Sequence, residues 1–189
     1  MKYSKSSLRK RSLLLRRKNS SKVKKVNFKT IFNLIKKHFK KKKIVIAGYY
    51  PANYELDIKN FLKEAFRSKF KISLPVIKSS TDMCFKLWNY EEPLRINKFG
   101  ILEPDESNKK VIPDLILVPV VAFDKKLNRI GYGKGYYDRA LRKLHKIKKK
   151  TIFLGIAFSF QMYKSIPVNK YDFKLDYIFT ERGIISSNY

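Results

Sequence analysis

Two unbroken apolar runs, LILVPVVAF at 115–123 and IFLGIAF at 152–158, constrain the fold more than any other feature of this chain. Each is far shorter than the roughly 20 residues that cross a bilayer as a helix, and each has the length of a buried strand. A strand covered on one side alternates apolar with polar residues, so a run without alternation needs cover on both sides. The rest of the chain supplies that cover. Leu8, Leu13, Leu14 and Leu15 predict a helix from about Ser4 to Lys18, ended by the polar Asn19, Ser20 and Ser21. Val23, Val26, Ile31, Leu34, Ile35 and His38 recur at mostly three- and four-residue steps and predict a second helix, closed by the lysines at 40–43. A third, about Asp57 to Phe70, carries Ile58, Phe61, Leu62, Ala65 and Phe66 on one side, and a fourth runs from Tyr136 to His145. Strands are expected at 44–49, 72–77 with Pro75 interrupting, 83–88, 115–121, 152–157 and 177–180. Alternating elements of this kind imply an α/β fold, a mostly parallel sheet with helices on both faces in a single three-layer domain over residues 1–189. Asn89 to Asp114, with four prolines or glycines, reads as a loop crossing the sheet.

The single cysteine, Cys84, excludes an internal disulfide, and His38 and His145 make no cluster with zinc-ligand spacing. The formal net charge of +29 invites a nucleic-acid or anionic-membrane partner. Abundant Lys, Ile, Asn, Phe and Tyr beside scarce Ala, Gly and Glu is also what an A/T-biased genome produces, and that reading is preferred. One charge feature is local: residues 1–43 carry 18 Lys and Arg, and no acid precedes Glu55. An organellar transit peptide and a basic surface helix both fit that composition.

The stretch GYGKGYYDR at 131–139 places three of the chain's seven glycines within five positions. It follows an expected central strand and opens an expected helix, where sheets of this type bind ligands. Glycines there let peptide N–H groups approach an anion, and the helix adds unpaired amides and the positive end of its dipole. Neither the Walker A nor the dinucleotide pattern is matched, and a turn whose glycines only relieve strain has the same spacing. Asp138 reads either as a first-turn acid or as a ligand of a magnesium-bound phosphate. Tyr136 and Tyr137 read either as core packing or as a stacking surface for a flat heterocycle.

VPVVAFD at 118–124, NRIGYGKGYYDRAL at 128–141 and FLGIAF at 153–158 closely resemble the 5-formyltetrahydrofolate cyclo-ligase family. The resemblance extends to KSSLR at 5–9, YYPANYELD at 49–57, FGILEP at 99–104 and YDFKLDYIFTERGII at 171–185, nearly the whole chain. It departs at Val120, where the family usually has Gly, and at Tyr171, where it has His. The resemblance implies ATP-dependent cyclisation of 5-formyltetrahydrofolate to 5,10-methenyltetrahydrofolate, with ADP and phosphate released. It implies an ATP site made of Lys5, Arg9, Arg129, Ile130, Gly131, Tyr132, Gly133, Lys134, Gly135, Tyr136 and Tyr137, with Lys134 and Arg9 acting on the transferred phosphoryl group. Tyr50, Glu55 and Tyr136 would meet the folate, and Asp138 would hold Mg²⁺. It makes Lys5 and Arg9 part of the mature enzyme rather than of a cleaved leader. The expected protein is a cytoplasmic monomer with no membrane partner and no specific nucleic acid. A nucleic-acid-binding protein and a sugar-phosphate isomerase or CoA-transferase relative are the competing classes, and neither explains the ordered motifs.

Overall fold

A computed structural model describes residues 4–23, 25–40 and 43–187. In chain order the elements are α1 (Lys5–Asn19), α2 (Lys29–His38), β1 (Val45–Ala47), α3 (Lys59–Arg67), β2 (Lys71–Ile77), β3 (Met83–Leu87), β4 (Arg95–Ile96), β5 (Leu102–Glu103), β6 (Lys110–Val111), β7 (Leu115–Pro119), β8 (Ala122–Asp124), β9 (Arg129–Ile130), α4 (Tyr136–Ile147), β10 (Ile152–Ile156), β11 (Met162–Tyr163), β12 (Tyr177–Thr180) and β13 (Gly183–Ser186). The main sheet has eight strands in the order β13-β12-β10-β7-β1-β2-β3-β6. Its centre, from β12 to β2, is parallel, and β13, β3 and β6 close the two sides antiparallel. No helix among the described residues is long and apolar enough to cross a membrane.

The unalternated runs are buried on both faces, as their composition demands. In β7, Leu115 and Leu117 join the core under α2 and α3, while Ile116 and Val118 join the core under α4. β10 repeats the division with Leu154 on the first face and Phe153 on the second, in register with Leu117 and Ile116. Helices therefore cover both faces of the sheet. α1 packs elsewhere: its Leu8 meets Ala122, Ile130 and Ile166 around a small sheet ordered β11-β8-β9.

Several boundaries differ from the sequence expectation. Val23 and residues 25–28 are not helical, although Val23, Val26 and Phe28 still pack on the core; α2 begins where the Asn27 side chain accepts the Lys29 N–H at 3.0 Å. Asp57 does the same for Lys59 at 2.8 Å, and α3 ends before Lys69, which takes a left-handed φ of 67°. The first strand stops at Ala47 rather than Tyr49. The expected loop 89–114 contains β4, β5 and β6, the last of which extends the main sheet. The lysines expected to close α2 lie partly outside the described residues. Pro75 does not interrupt β2, because it lies beyond the β1 pairing, which ends at Ser73, and has β3 alone beside it.

The expected strand 115–121 ends at Pro119, and the next residues step from the main sheet to the small one. Val120 N–H donates to Ile156 and Val121 N–H to Ile130. Both carbonyls accept from Nε2 of the buried Gln161, at 2.8 and 2.7 Å, so the step leaves neither orphaned. Val120 is fully buried and leans toward β10, where a Cβ on Gly155 would stand 2.6 Å from Leu175 Cδ1 and 3.1 Å from Val120 Cγ2. Those neighbours are themselves buried and have little room to withdraw. Gly155→Ala is expected to cost about 1–3 kcal/mol by overpacking, read as a lower urea midpoint.

Candidate active site

A cavity of about 750 Å³ opens at the carboxyl ends of the central strands. Tyr49 and Tyr50 follow β1, Pro75 and Ile77 end β2, and Pro119 ends β7; all five line it. β1 and β7 are neighbours from which the chain departs in opposite directions, to β2 and to β10, which opens a crevice between the outgoing connections. α1 contributes Lys5 and Arg9, the segment before β5 contributes Phe99, and the loop at 169–172 adds Tyr171 and Asp172. Every residue that the resemblance implied for the site lies on this wall, including the whole stretch from Arg129 to Asp138.

The glycine loop answers what approaches its backbone. A Cβ at Gly131 would stand 3.0 Å from Arg129 Nη1, one at Gly133 3.2 Å from Arg9 Cζ, and one at Gly135 2.8 Å from Arg139 Nη1. Gly133 and Gly135 also have φ of 99° and 69°. Arg9 Nε donates to Gly131 O at 2.7 Å, and Arg139 donates to Lys134 O at 3.0 Å and Thr81 O at 2.7 Å. The spacing alone is compatible with an anion at bare amides and with a turn whose glycines relieve strain; in this structure the guanidinium groups of Arg9, Arg129 and Arg139 lie against them. An anion drawn here meets those cations together with the unpaired amides at the start of α4.

Arg129 is buried, and its Nη2 donates to Asp138 Oδ1 at 2.7 Å, while the Phe173 N–H donates to the same oxygen at 3.1 Å. Burial pulls the Arg129 guanidinium below its ordinary pKa, and the Asp138 charge opposes that pull. Ile130 packs in the apolar cluster beside Leu8. Lys134 is exposed, with Nζ 4.3 Å from the centre of the Phe99 ring, and Tyr136 lies 6.3 Å from the same ring. The Lys5 ammonium pairs with Asp172. Tyr171, one of the two departures, is exposed at the rim.

No group of three or more His, Cys, Asp and Glu among the described residues is placed to hold a metal. Magnesium does not require one, since it takes one or two carboxylates and completes its shell with phosphate oxygens and water. Both hydrogen bonds described for Asp138 fall on Oδ1, so Oδ2 is the oxygen suited to such an ion.

Beside the glycine loop Glu55 accepts the Tyr132 hydroxyl at 2.6 Å on Oε1 and the Ala52 N–H at 2.9 Å on Oε2. Tyr50 stands beside it on the wall, with the Lys59 ammonium 5.7 Å from its ring. The Tyr137 hydroxyl is buried without a partner. Sequence reasoning assigned no role to Phe99, Arg139 or Asp172, although all three sit inside motifs quoted for the resemblance. It also passed over Arg16, which had no signal to set it apart in a helix full of cations.

Burial lifts the Glu55 carboxyl above its ordinary pKa; the Tyr132 hydroxyl, the Ala52 N–H and the Arg16 charge pull the other way. The stability of a carboxyl with a raised folded pKa is complete below its unfolded pKa and declines as pH rises through the folded one. Glu55→Gln, which does not ionise, should gain stability relative to the parent between about pH 4 and pH 7. Paired urea denaturations at both pH values measure this, and a pH-independent difference would refute it. Asp138→Asn leaves the buried Arg129 without its counter-ion and is expected to cost about 2–4 kcal/mol in metal-free buffer, by the same denaturation.

A model of the 5-formyltetrahydrofolate cyclo-ligase family matches residues 1–181. The 5-formyltetrahydrofolate cyclo-ligase of Haemophilus influenzae is 32% identical over 136 residues, 69% of this chain and 72% of its own length. The NMR structure of the Aquifex aeolicus 5,10-methenyltetrahydrofolate synthetase superposes with a TM-score of 0.75 at 31% identity, over 98% of this chain and 93% of that one. The 5,10-methenyltetrahydrofolate synthetase of Mycoplasma pneumoniae superposes with a TM-score of 0.68 at 26% identity, over 98% of this chain and 100% of that one. With matches that span nearly all of its length, the chain belongs to the 5-formyltetrahydrofolate cyclo-ligase family and is an enzyme of that class.

Proposed function

We propose that residues 1–189 act as one catalytic unit that binds ATP and 5-formyltetrahydrofolate in the same cavity and closes the folate to 5,10-methenyltetrahydrofolate, releasing ADP and phosphate. The observation that carries this reading is that the lining of one cavity holds two chemistries. Lys5, Arg9, Arg129, Lys134 and the glycine loop supply cations and backbone amides. Tyr50, Glu55 and Tyr136 supply aromatic rings and a carboxylate. A triphosphate matches the first set and a reduced pterin the second.

The chemistry follows from the poor leaving ability of a formyl oxygen. That oxygen attacks the γ-phosphorus of ATP and the bond to ADP breaks, leaving the oxygen phosphorylated. N10 of the folate then attacks the formyl carbon, the C–O bond breaks, phosphate departs with the bonding pair, and N10 loses its proton. Phosphoryl transfer asks the protein mainly for position and charge. Arg9 and Lys134 face the group whose charge grows during transfer, with Lys134 leaving the Phe99 ring to reach it; Lys5, Arg129, the loop at 130–133, Gly135 and the tyrosines at 136 and 137 hold the nucleotide. Tyr50, Tyr136 and Glu55 hold the pterin, whose amino and ring N–H groups are donors for the carboxylate. Magnesium held by Asp138 Oδ2 and phosphate oxygens would neutralise part of the triphosphate charge.

Purified protein supplied with 5-formyltetrahydrofolate, Mg²⁺ and ATP should develop the near-ultraviolet absorbance of methenyltetrahydrofolate, and the ATP-free control should stay flat. No rise from folded protein would overturn the reading. Lys134→Ala is expected to lower turnover by about one to three orders of magnitude with an unchanged melting temperature, and parent-like turnover would remove Lys134 from the mechanism.

A further inference from the structure

α1 approaches the cavity with one face. Lys5, Arg9, Ser12 and Arg16 follow at steps of four, three and four residues, so they stack along one side of the helix. Lys5 and Arg9 reach the cavity wall, and Ser12 bonds the Tyr163 hydroxyl at 2.8 Å. Arg16 does not line the cavity and is buried, with 1% of its surface exposed. Its Nη2 donates to the Tyr132 hydroxyl, and its Cζ lies 5.5 Å from the centre of the Tyr132 ring. Tyr132 in turn donates to Glu55. The result is a chain with one polarity, cation to phenol to carboxylate, in which each donor strengthens the next.

That arrangement is an expensive way to dock a helix. Nε and Nη1 of Arg16 are buried with no partner, and a methionine, the unbranched apolar side chain nearest in reach, would pack the position without that cost. The two bonds described for Glu55 leave it fixed at both oxygens, with the Ala52 N–H on one and the Arg16-backed phenol on the other. The groups facing Glu55 are Arg16 from α1, Tyr132 from the glycine loop, Tyr49 from the turn after β1 and Tyr137 from α4. Arg16 is the cation among them.

We propose that Arg16 is a positioning residue for the folate side of the site, acting through Tyr132 to orient the Glu55 carboxylate and keep it ionised for the pterin. This rests on the assignment of Glu55 to the pterin made above. It joins the two halves of the site, because Tyr132 belongs to the same loop that carries Gly131, Gly133 and Lys134. A helix whose first two turns serve the nucleotide thereby serves the folate with its fourth.

The test uses the full chain with Arg16→Met, Arg16→Lys, Tyr132→Phe and Glu55→Gln. Initial rates are measured against each substrate across the pH range. Arg16→Met is expected to raise the KM for 5-formyltetrahydrofolate about tenfold while the KM for ATP stays within about twofold, the size of one lost hydrogen bond to a charged group. The acid limb of kcat/KM for the folate should move to higher pH, since the positive charge and the donated proton both favour ionised Glu55. Arg16→Lys should bring the limb back toward the parent. In the Glu55→Gln background Arg16→Met should add nothing. An equal rise in both KM values, an unmoved acid limb, or full additivity with Glu55→Gln would each overturn the proposal in favour of a purely structural arginine. If Arg16→Met fails to fold, Tyr132→Phe breaks the same chain and should move the acid limb to higher pH and add nothing in the Glu55→Gln background; an unmoved limb or full additivity there would overturn the proposal. A second readout needs no turnover: the ¹³C carboxyl resonance of Glu55, assigned by its loss in Glu55→Gln, should titrate at higher pH in Arg16→Met. An unchanged titration overturns the coupling even in an active enzyme. A shifted titration in a protein without ATP-dependent turnover sustains the coupling and sinks the proposed reaction instead.

Discussion

The ion pair between Arg129 and Asp138 governs the geometry of the site. It spans the glycine loop from outside, joining the last residues of β9 to the first turn of α4 at 2.7 Å. Five residues between fixed ends have little freedom left, and the positive φ at Gly133 and Gly135 completes the turn. Burying a guanidinium to 3% exposure costs more than its partner returns, which is the sense of the lowered pKa of Arg129. Such a pair is better understood as a device for position than as a source of stability. The Phe173 N–H on the same carboxylate extends it to the loop that holds Asp172, and so to Lys5 on α1.

Around that pair the sheet supplies the platform. Burial of β7 and β10 on both faces leaves their ends as the place where polar chemistry at the centre of the sheet meets solvent. Main-sheet pairing stops at Pro119, the following residues leave for the small sheet, and Gln161 absorbs the carbonyls freed by the step. The small sheet then seats α1 through Leu8, and α1 brings two of its cations to the rim. Core packing and site assembly are therefore one problem in this chain.

Much of this was legible in the residues. Strands buried on both faces announce themselves by composition, and the loop from Arg129 to Asp138 by its glycines, because in both cases the residues that cooperate are adjacent in the chain. Helix starts were less legible. Asn27 and Asp57 decide them through a single side-chain bond each, while the apolar periodicity runs on through Val23 and Val26, which pack without being helical. Strands of two residues such as β4, β5 and β6 have no period to detect. The glycines fitted either access for an anion or a strain-relieving turn, and their spacing contains nothing to say that Arg9, from the far end of the chain, lies against Gly133.

By itself the sequence determined the layer order, the buried strands and the glycine loop that lines the cavity, since these depend on local pattern: which face of an element is apolar, and where the backbone needs a missing side chain. The tertiary structure alone decided which polar groups meet. Glu55 and Tyr132 are 77 residues apart and Arg16 and Tyr132 116 apart, and no periodicity reaches across such distances. Their meeting follows from the crossing of the chain between β1 and β7, which brings the ends of separate elements to one crevice, where burial makes each hydrogen bond matter.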